Sequence, residues 1–581
     1  MNSGAELPKR ISVNGVLRAE LRLGVVSSVT ANLARINLFD AGNPSGTHFE
    51  GRRYGRGEVG EFVLIEGQQS ILLGRLIEIW LPEKERQAIG LVGTRNIEAI
   101  GNVQLLGSIA MTDLAVSSGV AAYPRLGDRV YSAPYDLIAQ IPLLMKTQLD
   151  ADSVVTLKVG MVGAGFESVV QITPEKLFGR HCAILGATGG GKSWTTAQII
   201  EQCIQYQCKA ILIDATSEYR TLSGEYTMHV HLGNPLETAS GSVGCSVPPT
   251  CFQETDFLAL FQPSGKVQGP KLQAAIRSLR LVELIPELGT GGLLLKINQK
   301  KRGVEDAENS PDIAKKLENP TQPFSVQMLA RQIEQECVYP DGFSNRQKDT
   351  SVWGGETGDF SYCLPLIARI NGVISSPAFN CVFDSHGFTP LTDVINRFLN
   401  SDNRLLRICL AGIHHEFRAR EIIANSIGRH LLALGREGKF ASNPVVIFLD
   451  EAHHFLGKTI GGEDSIARLD SFELIAKEGR KYGVNICLAT QRPRDITEGV
   501  LSQMGTLVVH RLTNDRDREI VERACGEIDK SASSFLPSLR PGEAAIIGVD
   551  FPIPLTIRML KPVAKPTSAG PKYQEAWKPQ A

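Results

Sequence analysis

"GATGGGKSWTT", Gly186 to Thr196, decides the fold of this chain. The apolar run "CAILG" (Cys182–Gly186) comes before it and the helix-like "AQIIEQC" (Ala197–Cys203) after it. A strand, a glycine-rich loop and a helix therefore stand in the order that G-x-x-x-x-G-K-[ST] requires. In such a loop the glycines let successive backbone N–H groups point inward, and the helix start adds the positive end of its dipole. Lys192 is placed to reach the terminal phosphates, and the Ser193 hydroxyl to ligate Mg²⁺. The contact candidates are Gly186, Thr188, Gly189, Gly190, Gly191, Lys192, Ser193 and Trp194, with ATP or GTP as ligand.

The second half of a phosphate site is an apolar strand ending in acid, and "VVIFLDE" provides Val445–Leu449, then Asp450 and Glu451. Asp450 is the candidate for the Mg²⁺ shell. Glu451 is the candidate to accept a proton from, or orient, the water that attacks the γ-phosphate; its plainer role is a charge at a helix start. A second buried strand, "VNICLATQRP", closes on Thr490 and Gln491, so Gln491 is either a γ-phosphate sensor or a polar strand cap. Charge in the phosphoryl transition state also wants an arginine, often from a neighbouring subunit. Arg180 in "LFGRHCAILG" and Arg480 in "AKEGRKYG" are the two candidates, each equally readable as a solvated surface residue. Asp214 and Glu218 in "IDATSEY" are helpers of the metal or water, or ordinary loop acids. His453 and His454 are adjacent and cannot share an ion as an i,i+4 pair does, so they and His414–His415 read as packing groups.

Outward from these motifs, residues 1 to about 140 form short β-like segments with turn punctuation, the pattern of a small barrel or sandwich. Apolar strands alternating with helical stretches follow, the pattern of a parallel α/β sheet. Helix-period segments ("PKLQAAIRSLRLVELI", "SVQMLARQIEQECVY") interrupt it, with the polar "KKRGVEDAENSPD" between them. The division is 1–150 for the β domain, 151–250 and 386–560 for the α/β core, 251–385 for a helical insertion and 561–581 for a Pro- and Lys-rich tail.

At 581 residues, several hydrophobic cores are expected. With 61 basic against 62 acidic residues the net charge is -1, so any polyanion must be gripped by a local patch. Runs such as "KINQKKR" and "GREGK" are patches of that kind or simply solvated faces. No run approaches the roughly 20 apolar residues of a membrane span. The eleven cysteines include no CxxC pair, and the first residues lack the apolar core of a secretory signal; both point to a cytoplasmic protein without a membrane.

Taken together, "LFGRHCAILGATGGGKSWT", "IDATSEY", "VVIFLDEAHHFL", "EGRKYGVNICLATQRP" and "SLRPGEAAIIG" resemble, in order, the signature blocks of the HerA family of hexameric DNA-translocating ATPases, of bacterial type. The resemblance covers most of the chain. It implies an α/β fold: a RecA-like P-loop NTPase core with an N-terminal β-barrel and a helical-bundle insertion. It also implies a homohexamer with ATP and Mg²⁺ at each interface and double-stranded DNA in the channel. By the same likeness Lys192 and Ser193 bind nucleotide and metal, Asp450 and Glu451 serve hydrolysis, Gln491 senses the γ-phosphate, and Arg180 and Arg480 are the interface arginines. A partner nuclease or a sirtuin-type NAD-degrading effector is expected at the barrel, in DNA end processing or anti-phage defence. One departure stands out: Ser217 occupies the glycine place of the more usual Asp-x-x-Gly-Glu-Tyr. Two other classes fit the same motifs, a nucleotide-gated scaffold that restrains a partner enzyme and a conjugation or secretion ATPase.

Overall fold

The computed structural model describes residues 15–39, 46–82, 98–145, 155–163, 165, 168–344, 347–384, 386–456, 458–460, 467–525, 533–567, 573 and 577. Most of the tail beyond 567 lies outside the described residues. The chain forms two compact units: Met1–Gln202 with Gln491–Arg494 and Leu501–Val563, and Cys203–Thr490 with Asp495–Val500 and Ala564–Ala581.

The first unit begins with strands β1 (Arg22–Val29), β2 (Leu33–Leu38), β3 (Phe62–Glu66), β4 (Ser70–Trp80), β5 (Ala99–Ala110) and β6 (Arg129–Ser132), in the order β2-β1-β6-β3-β4-β5. β5 pairs back onto β2, with Leu33 opposite Gln104 and Leu38 opposite Ala99, so the sheet closes into a barrel and the choice between barrel and sandwich is settled. Closure satisfies the backbone groups that an open edge would leave unpaired. The interior is filled by alternate residues, among them Ala34, Ile36 and Leu38 of β2 and Leu72 and Leu76 of β4, all buried. Burial of each large one is worth on the order of 1.5–3 kcal/mol. At Gly24 the β1–β2 crossing is so close that a Cβ would sit 1.8 Å from the Asn37 carbonyl oxygen, which explains a glycine inside a strand.

The rest of this unit is a mixed sheet. Its strands run in the order Ser168–Ile172, Leu157–Val162, Phe551–Met559, Glu543–Gly548, Thr506–His510, Cys182–Leu185. Only the last pair is parallel; Glu543–Gly548 and Phe551–Met559 are joined by a tight hairpin and must run antiparallel. Arg75 on β4 donates to the Thr556 hydroxyl on that hairpin at 3.2 Å and lies over the Phe535 ring, 4.1 Å from its centroid.

The second unit is the parallel sheet anticipated from the alternation. Val484–Thr490, Val445–Leu449, Lys209–Asp214, Leu405–Gly412, Thr227–Gly233 and Val243–Ser246 lie side by side, every pair parallel. Lys209–Asp214 is buried at all six positions, as a strand covered on both faces must be. The helical insertion holds Gly265–Leu284, Leu329–Glu336 and Asp359–Ile374. The polar "KKRGVEDAENSPD" between the first two forms two short helices, Arg302–Glu308 and Pro311–Leu317. Each has one buried anchor, Val304 and Leu317, in a cluster with Leu281 and Leu294, against which Ala307 and Ile313 also pack. The fold class read from the sequence, an α/β P-loop protein with an N-terminal β-barrel and a helical insertion, is the one observed. Among the described residues no single helix is long and apolar enough to cross a membrane.

Candidate nucleotide site

In the first unit the buried strand Cys182–Leu185 delivers the chain to the loop, and the helix Lys192–Cys203 leaves it. Gly189 (φ +77°) and Gly191 (φ +110°) occupy backbone conformations that side chains rarely tolerate, so the turn that aims the N–H groups depends on them. Lys192 folds across the loop and donates to the Ala187 carbonyl at 3.2 Å. Its ammonium is thus held at the loop's mouth. The Thr188 hydroxyl donates to Gln491 Oε1 at 2.6 Å, so two of the predicted contact residues, 303 positions apart, meet at the loop. Gly186, Gly190, Ser193 and Trp194 complete the turn and the first helical residues.

Beneath the loop lies a residue that sequence reasoning missed. His510 is wholly buried, its Nδ1 2.9 Å from the Glu543 carbonyl and its Nε2 2.9 Å from the Thr195 hydroxyl. Burial pulls its pKa down to about 4; the bond to Glu543 opposes this, and the Lys192 charge adds to it. The ring is neutral at pH 7.

In the second unit Val445–Leu449 ends on Asp450, which is buried, and Glu451. Glu451 sits at φ +46°, a left-handed conformation costly for a residue with a Cβ, at the start of the short turn Ala452–His454. Strain of this kind is held where the surrounding structure over-determines a side chain's direction. Two hydroxyls reach the oxygens of Asp450, Tyr219 Oη at 3.3 Å and Thr216 Oγ1 at 3.4 Å. Burial, reinforced by Asp214, Glu451 and Glu218, holds the Asp450 carboxyl well above the usual carboxylate range. Asp450 offers a single carboxylate donor, which suits an ion such as Mg²⁺ that is held by one or two protein groups and by phosphate oxygens.

Asp214 has another partner. Fully buried, it accepts from Arg407 Nε at 2.7 Å and from the Tyr219 and Thr216 N–H groups at 3.1 and 3.3 Å. It fixes the turn "DATSEY". Ser217 adopts φ +65° there, keeping the glycine-like backbone that the departure from the family pattern called into question, and its hydroxyl accepts from Arg407 at 3.0 Å. His453 lies 3.2 Å from both Glu451 and Thr490 and stacks on His454 with ring centroids 4.2 Å apart. Among the described residues no group of three or more metal-ligating side chains gathers.

The two arginines are placed differently. Arg180, about half exposed, forms an ion pair with Asp550 at 3.4 Å. Arg480 is exposed on the turn Gly479–Tyr482 and makes no ion pair with the other described residues.

Residues 157–334 match the model of the helicase HerA central domain, and residues 433–533 that of the helicase HerA-like C-terminal domain. The chain belongs to the HerA family of P-loop ATPases. A probable helicase of Methanocaldococcus jannaschii is 22% identical to this HerA-family chain over 470 residues, 80% of this chain and 79% of that protein. A DNA double-strand break repair helicase HerA of Pyrococcus furiosus is 34% identical over 116 residues, 20% of either chain. Among solved structures, the bacterial conjugative coupling protein TrwB is similar at a TM-score of 0.40 and 14% identity, covering 72% of this chain and 93% of TrwB.

Proposed function

We propose that this HerA-family ATPase forms a homohexameric ring that hydrolyses ATP to move double-stranded DNA. A nuclease or a sirtuin-type NAD-degrading enzyme docks on its barrel, in end processing or anti-phage defence. The observation that carries the ATPase half is the loop itself, with two left-handed glycines, a lysine folded over its mouth and a neutral floor. The DNA half is supported by the P. furiosus relative, named as a DNA double-strand break repair helicase.

In the proposed mechanism the loop N–H groups and Lys192 bind the β- and γ-phosphates. Ser193 and Asp450 would hold Mg²⁺, which when bound neutralises charge on the phosphate oxygens. Glu451 orients a water in line with the γ-phosphate and takes its proton as the phosphorus–oxygen bond to ADP breaks. Gln491, bonded to Thr188, reports the state of the γ-phosphate to the loop. Arg180 or Arg480, from a neighbouring copy, offsets the charge that develops on the leaving oxygens.

The test is the ATPase rate of the full chain with and without double-stranded DNA across a salt series, with the native mass measured alongside. Stimulation by DNA that fades steeply with salt supports the reading. A monomer that turns over ATP at full rate and ignores DNA ends it. A hexamer that is indifferent to DNA, yet needs bound ATP to sustain a partner's activity, is the outcome that makes the ring a scaffold.

A further inference from the structure

His510 ends the strand Thr506–His510, which runs parallel to Cys182–Leu185 with Val509 opposite Leu185. One residue further on, its side chain comes up directly beneath the phosphate loop. A Cβ on Gly186 would come within 2.6 Å of the His510 Cβ, and one on Gly191 within 3.4 Å of Cε1. At Gly186 the close approach of the His510 Cβ leaves no room for a side chain, while at Gly191 the imidazole lies at ordinary contact distance.

Both ring nitrogens are committed, and the geometry fixes the tautomer. Glu543 presents a carbonyl, which can only accept, so Nδ1 carries the proton and donates to it. Nε2 is then an acceptor, and the Thr195 hydroxyl donates to it. Thr195 lies in the first turn of the helix Lys192–Cys203, and its N–H reaches the Gly191 carbonyl at 2.9 Å. On the other side the Gly542 N–H reaches the Gly190 carbonyl at 3.4 Å, one residue before Glu543. The imidazole thus joins the start of the helix to the segment that flanks the loop.

We infer that His510, acting through the Thr195 hydroxyl, is a positioning residue that holds the phosphate loop in its nucleotide-accepting shape. This rests on the reading of the loop as a triphosphate cradle. Backbone N–H groups grip an anion firmly only when they are already aimed; a loop that must be ordered on binding has its affinity reduced by that ordering.

Binding of a fluorescent, slowly hydrolysed ATP analogue to the full chain, read by anisotropy with Mg²⁺ present, tests this. Thr195→Val deletes one hydroxyl at constant volume, and His510→Phe deletes both bonds while keeping a ring. Each is expected to raise the Kd about tenfold, which is about 1.4 kcal/mol. The double variant is expected to match His510→Phe, since both changes cut one link. Thr506→Val is the control: it removes a hydroxyl that donates to the Lys176 carbonyl at 2.6 Å on the same strand, and should lower the melting temperature without moving the Kd. An unchanged Kd in Thr195→Val, additive effects in the double variant, or an equal loss in Thr506→Val would overturn the inference. Should His510→Phe fail to fold, Thr195→Val at an unchanged melting temperature decides alone. If Lys192→Ala binds the analogue as the unsubstituted chain does, the cradle reading itself fails and takes this inference with it. If Lys192→Ala loses binding while the other variants keep it, only the role of His510 falls.

Discussion

Replacing Ser217 by glycine restores the more usual residue of the pattern, and the structure indicates that this lowers stability. The backbone there is left-handed at φ +65°, and relieving a side chain of that conformation returns about 1 kcal/mol. Glycine's wider freedom in the unfolded chain removes about 0.7 kcal/mol of that gain. The larger change is the lost hydroxyl, which accepts at 3.0 Å from the guanidinium of Arg407, a side chain only 1% exposed. A hydrogen bond to a charged donor contributes about 1.5–3 kcal/mol. The balance is a loss of about 1–3 kcal/mol for Ser217→Gly, and somewhat more for Ser217→Ala, which keeps the strain and loses the same bond. Thermal melts should show both variants a few degrees below the unsubstituted chain, with alanine lowest. A glycine variant that melts at or above the unsubstituted chain would refute the reasoning, because the hydroxyl would then add nothing beyond the shape of the turn.

Glu451→Gln should bind ATP normally and hydrolyse it about 10²–10⁴-fold more slowly, checked by pairing single-turnover rates with anisotropy. Alanine at whichever of Arg180 and Arg480 serves the neighbouring site should lower kcat by about 10³ or more with nucleotide Kd and native mass unchanged, and loss of the half-exposed Arg180–Asp550 pair should change stability by less than about 1 kcal/mol. Removing Arg407 leaves Asp214 buried without its cation, so Arg407→Met should cost about 3–5 kcal/mol and deplete soluble protein on expression. The depressed pKa of His510 has a defined sign: the unfolded chain binds the proton first, so stability present above pH 6.5 is lost as pH falls from 6.5 toward about 4. Melting temperature plotted against pH should be flatter over that window for His510→Phe than for the unsubstituted chain.

The loop and the acid-ended strand were legible because their chemistry is local: glycines at fixed offsets, and an apolar run closing on two carboxylates. The barrel was legible only as a row of short strands, since closure depends on β5 finding β2 across 60-odd residues of intervening chain. His510 escaped because its meaning lies in a contact 315 positions away. Arg407 did carry a readable signal: a lone charge inside "LLRICLAG" must face an equally buried acid. Asp214, weighed from sequence as a metal helper, is that acid. The helices at Arg302–Glu308 and Pro311–Leu317 were hidden because each shows only one short apolar pair, Val304 with Ala307 and Ile313 with Leu317, inside a strongly polar stretch. The role proposed for Arg180 and Arg480 depends on a neighbouring copy, and a role of that kind leaves no mark in a single chain's local pattern.

The separation of the loop from its floor also bears on biosynthesis. On a ribosome adding about 5–20 residues per second, Thr195 waits roughly 15–60 s before His510 emerges. During that interval the nascent chain has its barrel strands but only half a socket. Truncated or stalled products that stop short of residue 510 should therefore bind nucleotide more weakly, and the socket is completed only once that residue has emerged.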